Sequence, residues 1–175
     1  MNKTPINDPF YDRLHLFLNA SRSETDRGRA LVAASLIEEM LEEILRSYLL
    51  EISSTKKLFE APNAPFSTLS AKTLACRSLG LISTAEFRDI ELVRKIRNAF
   101  AHSVMCSFED QQIQDWSKAL KVGMSLLDEL EDGHKSRVDD GKQRFSMVTT
   151  SLVGGLYNRA HYVKKDRISE KSYPD

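Results

Sequence analysis

The side chains best suited to chemistry crowd into one stretch, "RKIRNAFAH", which runs from Arg94 to His102. Arg97, Asn98 and His102 are the candidate site residues. An arginine fork matches phosphate oxygens and stabilises charge developing on them. A histidine titrating near pH ~6.5 can give or take a proton. Together they suit phosphodiester cleavage in RNA, whose own 2′-hydroxyl is the nucleophile, so that no metal is required. The same residues fit a plainer reading. Arg94, Lys95 and Arg97 are also cations in the last turns of a helix, where the macrodipole favours positive charge, and His102 can cap terminal carbonyls.

Helical spacing limits the first reading. Arg94, Asn98 and His102 are four apart and share a face. Arg97 and His102 are five apart, about 140° round the helix from each other. A straight helix keeps them off one small target. Convergence requires a helix end or distortion between them, or a second protomer that supplies one of the two.

The elements that must position these residues are helical almost throughout. Asp8 and Pro9 open a short helix over Pro9–Ala20 with the stripe Leu14, Phe17 and Leu18. A long helix over Glu24–Glu51 carries Ala33, Ile37, Met40, Leu41, Ile44, Leu45 and Tyr48 at spacings of three and four, which marks one buried face. Its Glu38, Glu39, Glu42 and Glu43 have no histidine or cysteine beside them and read as a solvated face. "ISSTKKLFEAPNAPF", residues 52–66, breaks the period and reads as a loop. A helix over Ser67–Leu79 ends before Gly80, a natural C′ residue. Ser83 and Glu86 form a capping box for a helix from Thr84 with the stripe Phe87, Ile90, Val93, Ile96 and Phe100. Another helix starts near Phe108 with Ser107 as cap and runs through Ile113, Trp116, Leu120, Met124, Leu127 and Leu130. A polar connection, residues 131–144, leads to a last helix over Lys142–Tyr162. Its Gly154 and Gly155 either weaken it or admit a close neighbour. These elements predict an all-α fold, a single helical bundle of five to seven helices over residues 1–165, followed by a frayed, charged tail over 166–175.

Composition narrows the function classes. Of 175 residues, 41% are hydrophobic and 29% charged, as in a soluble globular domain. Lys plus Arg equals Asp plus Glu at 25 each, which argues against bulk electrostatic binding to DNA. No apolar run approaches the roughly 18–20 residues of a membrane span, and "MNKTPINDPFYDR" has no apolar signal core. Cys76 and Cys106 lack CxxC spacing and read as free thiols of a cytoplasmic protein. No nucleophile elbow, phosphate loop or cofactor motif is present, and His15, His134 and His161 have no partners at metal spacing.

Two resemblances follow. "RNAFAH" is similar to the Arg-(polar)-x3-His motif of the HEPN superfamily, small helical domains that often pair. Arg97, Asn98 and His102 match its three positions. The resemblance implies a metal-independent endoribonuclease of toxin or defence type, with the motifs of two protomers meeting in a homodimer. The longer match joins "RALVAASLIEEMLEEILRSYL" to "FSTLSAKTLACRSLGLISTAEFRDIELVRKIRNAFAH". It resembles the mannitol operon repressor family from about Asp26 to Trp116. That implies a helical, dimeric transcriptional regulator with a nucleic-acid or regulatory protein partner. The segment Leu79–His102 can mimic a helix-turn-helix, but its second helix carries the core stripe and the acids Glu86, Asp89 and Glu91, which do not suit a major-groove reader. Action through a partner protein fits better. The basic stretch from Arg159 to Lys171 is diluted by Asp166 and Glu170 and reads as a solvated tail.

Overall fold

The computed structural model of the chain describes residues 24–124 and 140–173. Among them are six α-helices and no strand: α1 (Asp26–Tyr48), α2 (Ser53–Glu60), α3 (Leu69–Ser78), α4 (Thr84–His102), α5 (Gln111–Lys118) and α6 (Gly141–Val163). They form a single helical bundle. The short helix expected over Pro9–Ala20 and the stripe residues Leu127 and Leu130 lie outside the described residues.

The bundle is organised around α1. Thr25 caps it by accepting from the Gly28 N–H at 3.1 Å. Its buried face, Ala30, Ala33, Ala34, Ile37, Met40, Leu41, Ile44 and Leu45, packs against α3, α4 and α6. The three alanines let α6 approach closely with Phe145, Val148, Leu152, Val153 and Leu156, all buried. Phe100, Phe108 and Phe145 close the core end to end, with successive ring centroids 5.0 and 5.2 Å apart, in the range where tilted aromatic pairs attract.

Two elements depart from the expectation, the second at both of its ends. Residues 52–66 hold the helix α2. Phe59 of α2 lies tilted at 5.5 Å from Phe66 and beneath the Arg46 guanidinium, which sits 4.2 Å from its ring centroid. These tertiary contacts hold a helix whose own spacing is too short to announce itself. The helix expected from Phe108 starts instead at Gln111. Ser107 and Asp110 are used in a tight turn, where the Ser107 N–H donates to Asp110 Oδ2 at 3.1 Å. That helix also stops at Lys118 rather than running through Met124. The buried Asp89 carboxylate accepts from the N–H groups of both Lys121 and Val122, at 2.8 and 2.6 Å, and Gly123 takes φ +76°. Amides given to a carboxylate are not available for a continuing helix.

Gly80 sits just past α3 at φ +72°. The Leu81 N–H returns to the Cys76 carbonyl at 2.8 Å, as its C′ position requires. After α6 the chain comes back to α1. Arg167 donates to the Ser47 carbonyl at 3.0 Å and the Ile168 N–H to the Tyr48 carbonyl at 3.0 Å. The frayed tail expected from residue 166 is thus tied to α1 at its start.

Among the described residues Gly154 and Gly155 have no close neighbour, because a Cβ at either would meet none of them within 4 Å. Both lie inside α6. Gly154→Ala is therefore expected to raise stability by about 0.5–1 kcal/mol through helix propensity alone. Denaturant unfolding of the variant checks this; a loss of stability would mean that the space is not open.

Candidate functional site

The core stripe of α4 fixes its rotation. Ile90, Val93, Ile96 and Phe100 are fully buried, while Phe87 is only half-buried. With that face turned inward, the two ends of the "RNAFAH" motif emerge on different sides. Arg97 and Asn98 line a groove of about 350 Å³ between α4, α1 and the start of α3, with Ser35, Ser67, Thr68 and Ser70. His102 does not line it. It is exposed on the last residue of α4, about 7.5 Å further along the axis and about 140° round it. The helix remains regular from Arg97 to His102 and passes to an extended Ser103 only afterwards. The chain thus brings Arg97 to Asn98 but not to His102.

The charge around the motif is apportioned residue by residue. Arg94 grips Glu91, with Nη2 to Oε2 at 2.7 Å and Nε to Oε1 at 3.1 Å. Arg97 pairs with no carboxylate among the described residues; its Nη1 donates to Asn98 Oδ1 at 3.0 Å. Arg97→Ala should therefore change stability by less than about 0.5 kcal/mol. A loss above 1 kcal/mol on denaturation would reveal a structural role for this arginine.

The acids that sequence reasoning set beside the motif are absorbed into the fold. Glu86 completes the capping box, accepting from the Ser83 N–H at 2.7 Å. It also receives both arms of Arg159 from α6, at 2.8 and 3.1 Å. Arg159 donates further to the Leu81 carbonyl at 2.7 Å. This arginine, read as part of a solvated stretch, is a tie between helices. Burial pushes the Glu86 carboxyl up, but the bonds from Arg159 and Ser83 outweigh it and hold the carboxyl below the usual carboxylate range. The stability that Glu86 supplies is thus present above pH 4.5 and is lost as pH falls through its lowered folded value. Glu86→Gln is expected to cost about 1–3 kcal/mol at neutral pH. Its deficit against the parent should shrink in acid, and urea titrations at several pH values check the sign.

The acidic run on α1 is also structural. Glu38 and Glu42 hold the buried Lys72 of α3 at 3.0 and 2.9 Å, and Glu42 also pairs with Arg46 at 2.9 Å. Burial pushes the Lys72 ammonium down; its bonds to Glu42 and Glu38 outweigh that and hold it above its ordinary value. The run is thus not simply the solvated face read from its spacing, although its carboxylates do not gather round a metal. Among the described residues no cluster of three or more histidine, cysteine or acidic side chains could hold one. Cys76 and Cys106 are free. Burial pushes the Cys76 thiol up to about 12, so it stays protonated and is no nucleophile.

A second exposed feature adjoins the motif and was not legible in the spacing. Val104 and Met105 are 85% and 87% exposed just beyond His102, an apolar tip on the surface. No described helix is long and apolar enough to cross a membrane.

No protein-family model matches the chain, and no curated protein does. The fold is similar to a solved structure, "X-ray structure of the MtlR-HPr complex from Escherichia coli". The match has a TM-score of 0.58 and 20% identity, and it covers 90% of this chain and 99% of that one. At this identity the likeness concerns the fold.

Proposed function

We propose that the chain is a regulator that works by binding another protein, in the manner of the mannitol operon repressor whose fold it resembles. The carrying observation is the fold match. Nearly the whole of that chain is superposable on this one, and its structure is that of a complex with HPr. The surface chemistry supports the same direction. The helix that would have to enter a DNA groove is α4, and its core stripe is buried against α1 and α6. Net charge is zero, so the many phosphate contacts of a DNA-held repressor have no general electrostatic support. An exposed apolar tip at Val104 and Met105 suits protein contact better than phosphate contact.

A ribonuclease reading finds no supporting observation within one chain, because Arg97 and His102 diverge.

Calorimetric titration of the full chain with Escherichia coli HPr at low salt tests the proposal. Saturable binding with a Kd below about 100 µM is expected, together with no retardation of a mixed-sequence DNA fragment. Absence of HPr binding alongside tight DNA retardation would overturn it.

A further inference from the structure

The outward side of α4 carries a second pattern beside its core stripe. Ala85, Arg88, Leu92, Lys95, Ala99 and His102 follow one another at spacings of three and four, so they form a continuous strip along the helix. Small or apolar residues alternate in it with Arg88, Lys95 and His102. Beside the strip lies a groove of about 470 Å³. Phe87, Leu92 and Ala119 supply its apolar floor, and Arg88, Lys95 and Lys121 its rim. The three rim cations are exposed.

Asp89 and Glu91 also line the groove, and each acid near the rim is held by another group. Glu86 is held by Arg159, and Glu91 by Arg94. Asp89 faces the Lys121 and Val122 amides. None of Arg88, Lys95 and Lys121 forms an ion pair with a described residue. The helix thus spends its negative charge internally and leaves positive charge on one outer flank of a chain with no net charge.

We propose that this flank of α4 is a docking groove for an acidic amphipathic helix of a partner protein. The proposal rests on the reading of the chain as a partner-binding regulator and adds where the partner sits and what it presents. Apolar side chains at i, i+3 or i+4 and i+7 would lie on Phe87 and Leu92. Flanking Glu or Asp residues would meet Arg88, Lys95 and Lys121. From Arg88 to Lys95 is about 10.5 Å, two turns of such a helix. A second copy of this chain would set the same cations against each other, and like charges in an interface are costly. A nucleic acid would leave the apolar floor unused and would find few cations for its phosphates.

The test uses the full chain and a fluorescein-labelled helical peptide of about 18 residues, with a leucine seam flanked by glutamates. Fluorescence anisotropy at low salt should show saturable binding, and a peptide with lysines in place of the glutamates should not bind. Arg88→Glu and Lys95→Glu should each weaken binding about tenfold. Leu92→Ala should weaken it with less effect on salt dependence. Lys57→Glu, a charge reversal at an exposed lysine of α2, should leave it unchanged. Circular dichroism confirms that each variant is folded.

Three results would overturn the proposal. The first is peptide binding that is absent, or equally sensitive to Lys57→Glu. The second is an RNA of about 20 nucleotides that binds through Lys95 while the peptide does not. The third is a dimer in sedimentation that Leu92→Arg dissociates. HPr binding that survives both Arg88→Glu and Lys95→Glu would overturn the placement and leave the regulator reading standing. Peptide binding without HPr binding, alongside tight DNA retardation, would do the reverse.

Discussion

The burial of one side of α4 is the constraint on which the rest depends. Ile90, Val93, Ile96 and Phe100 are each fully buried, and together they allow the helix one rotation. Each of them is an aliphatic or aromatic residue whose removal from water is worth roughly 1.5–3 kcal/mol. Once that rotation is set, every other residue of the helix has a fixed direction. Arg97 turns towards the groove beside α1 and α3. His102 turns away from it. Arg88, Leu92 and Lys95 look outward past Ala119 and Lys121. The functional reading of the chain is therefore a consequence of which four side chains are inside.

Electrostatics follow from the same geometry. Glu86, Asp89 and Glu91 stand on the helix in places where the fold can use them: against Arg159, against two loop amides, and against Arg94. The neighbouring α1 does likewise, gripping Lys72 between Glu38 and Glu42. Acidic side chains knit the bundle together, and the cations that remain are those with no structural task. A chain neutral in sum thus acquires a locally basic flank. Composition alone conceals it, because the count of charges is the same whether or not they are spent in pairs.

Much of the fold was legible because its signals are periodic. The stripe of α1, the capping box at Ser83 and Glu86 and the glycine after α3 can all be read from spacing. What could not be read depends on contacts between distant residues. The helix α2 is held by Phe59 against Phe66 and Arg46, and nothing in "SSTKKLFE" repeats often enough to show it. The end of α5 is set by Asp89, some thirty residues earlier in the chain. The role of Arg159 rests on Glu86, 73 residues away. The candidate site divides in the same way. The 140° between Arg97 and His102 is a matter of counting, and the regular helix between them bears it out. That Arg94 takes Glu91 also follows from spacing, since the two are three apart; that Arg97 opens onto a groove beside α1 and α3 is set only by packing.

Adjacent residues on α4 provide the most direct test of this account. Denaturant unfolding of Ile96→Ala and of Lys95→Ala compares two positions one residue apart and about 100° round the helix. Ile96→Ala should cost about 2–5 kcal/mol, the usual loss for emptying a fully buried position. Lys95→Ala should stay within about 0.5 kcal/mol. Similar losses at the two positions, or a larger one at Lys95, would mean that α4 is rotated differently and that its outer flank is not free.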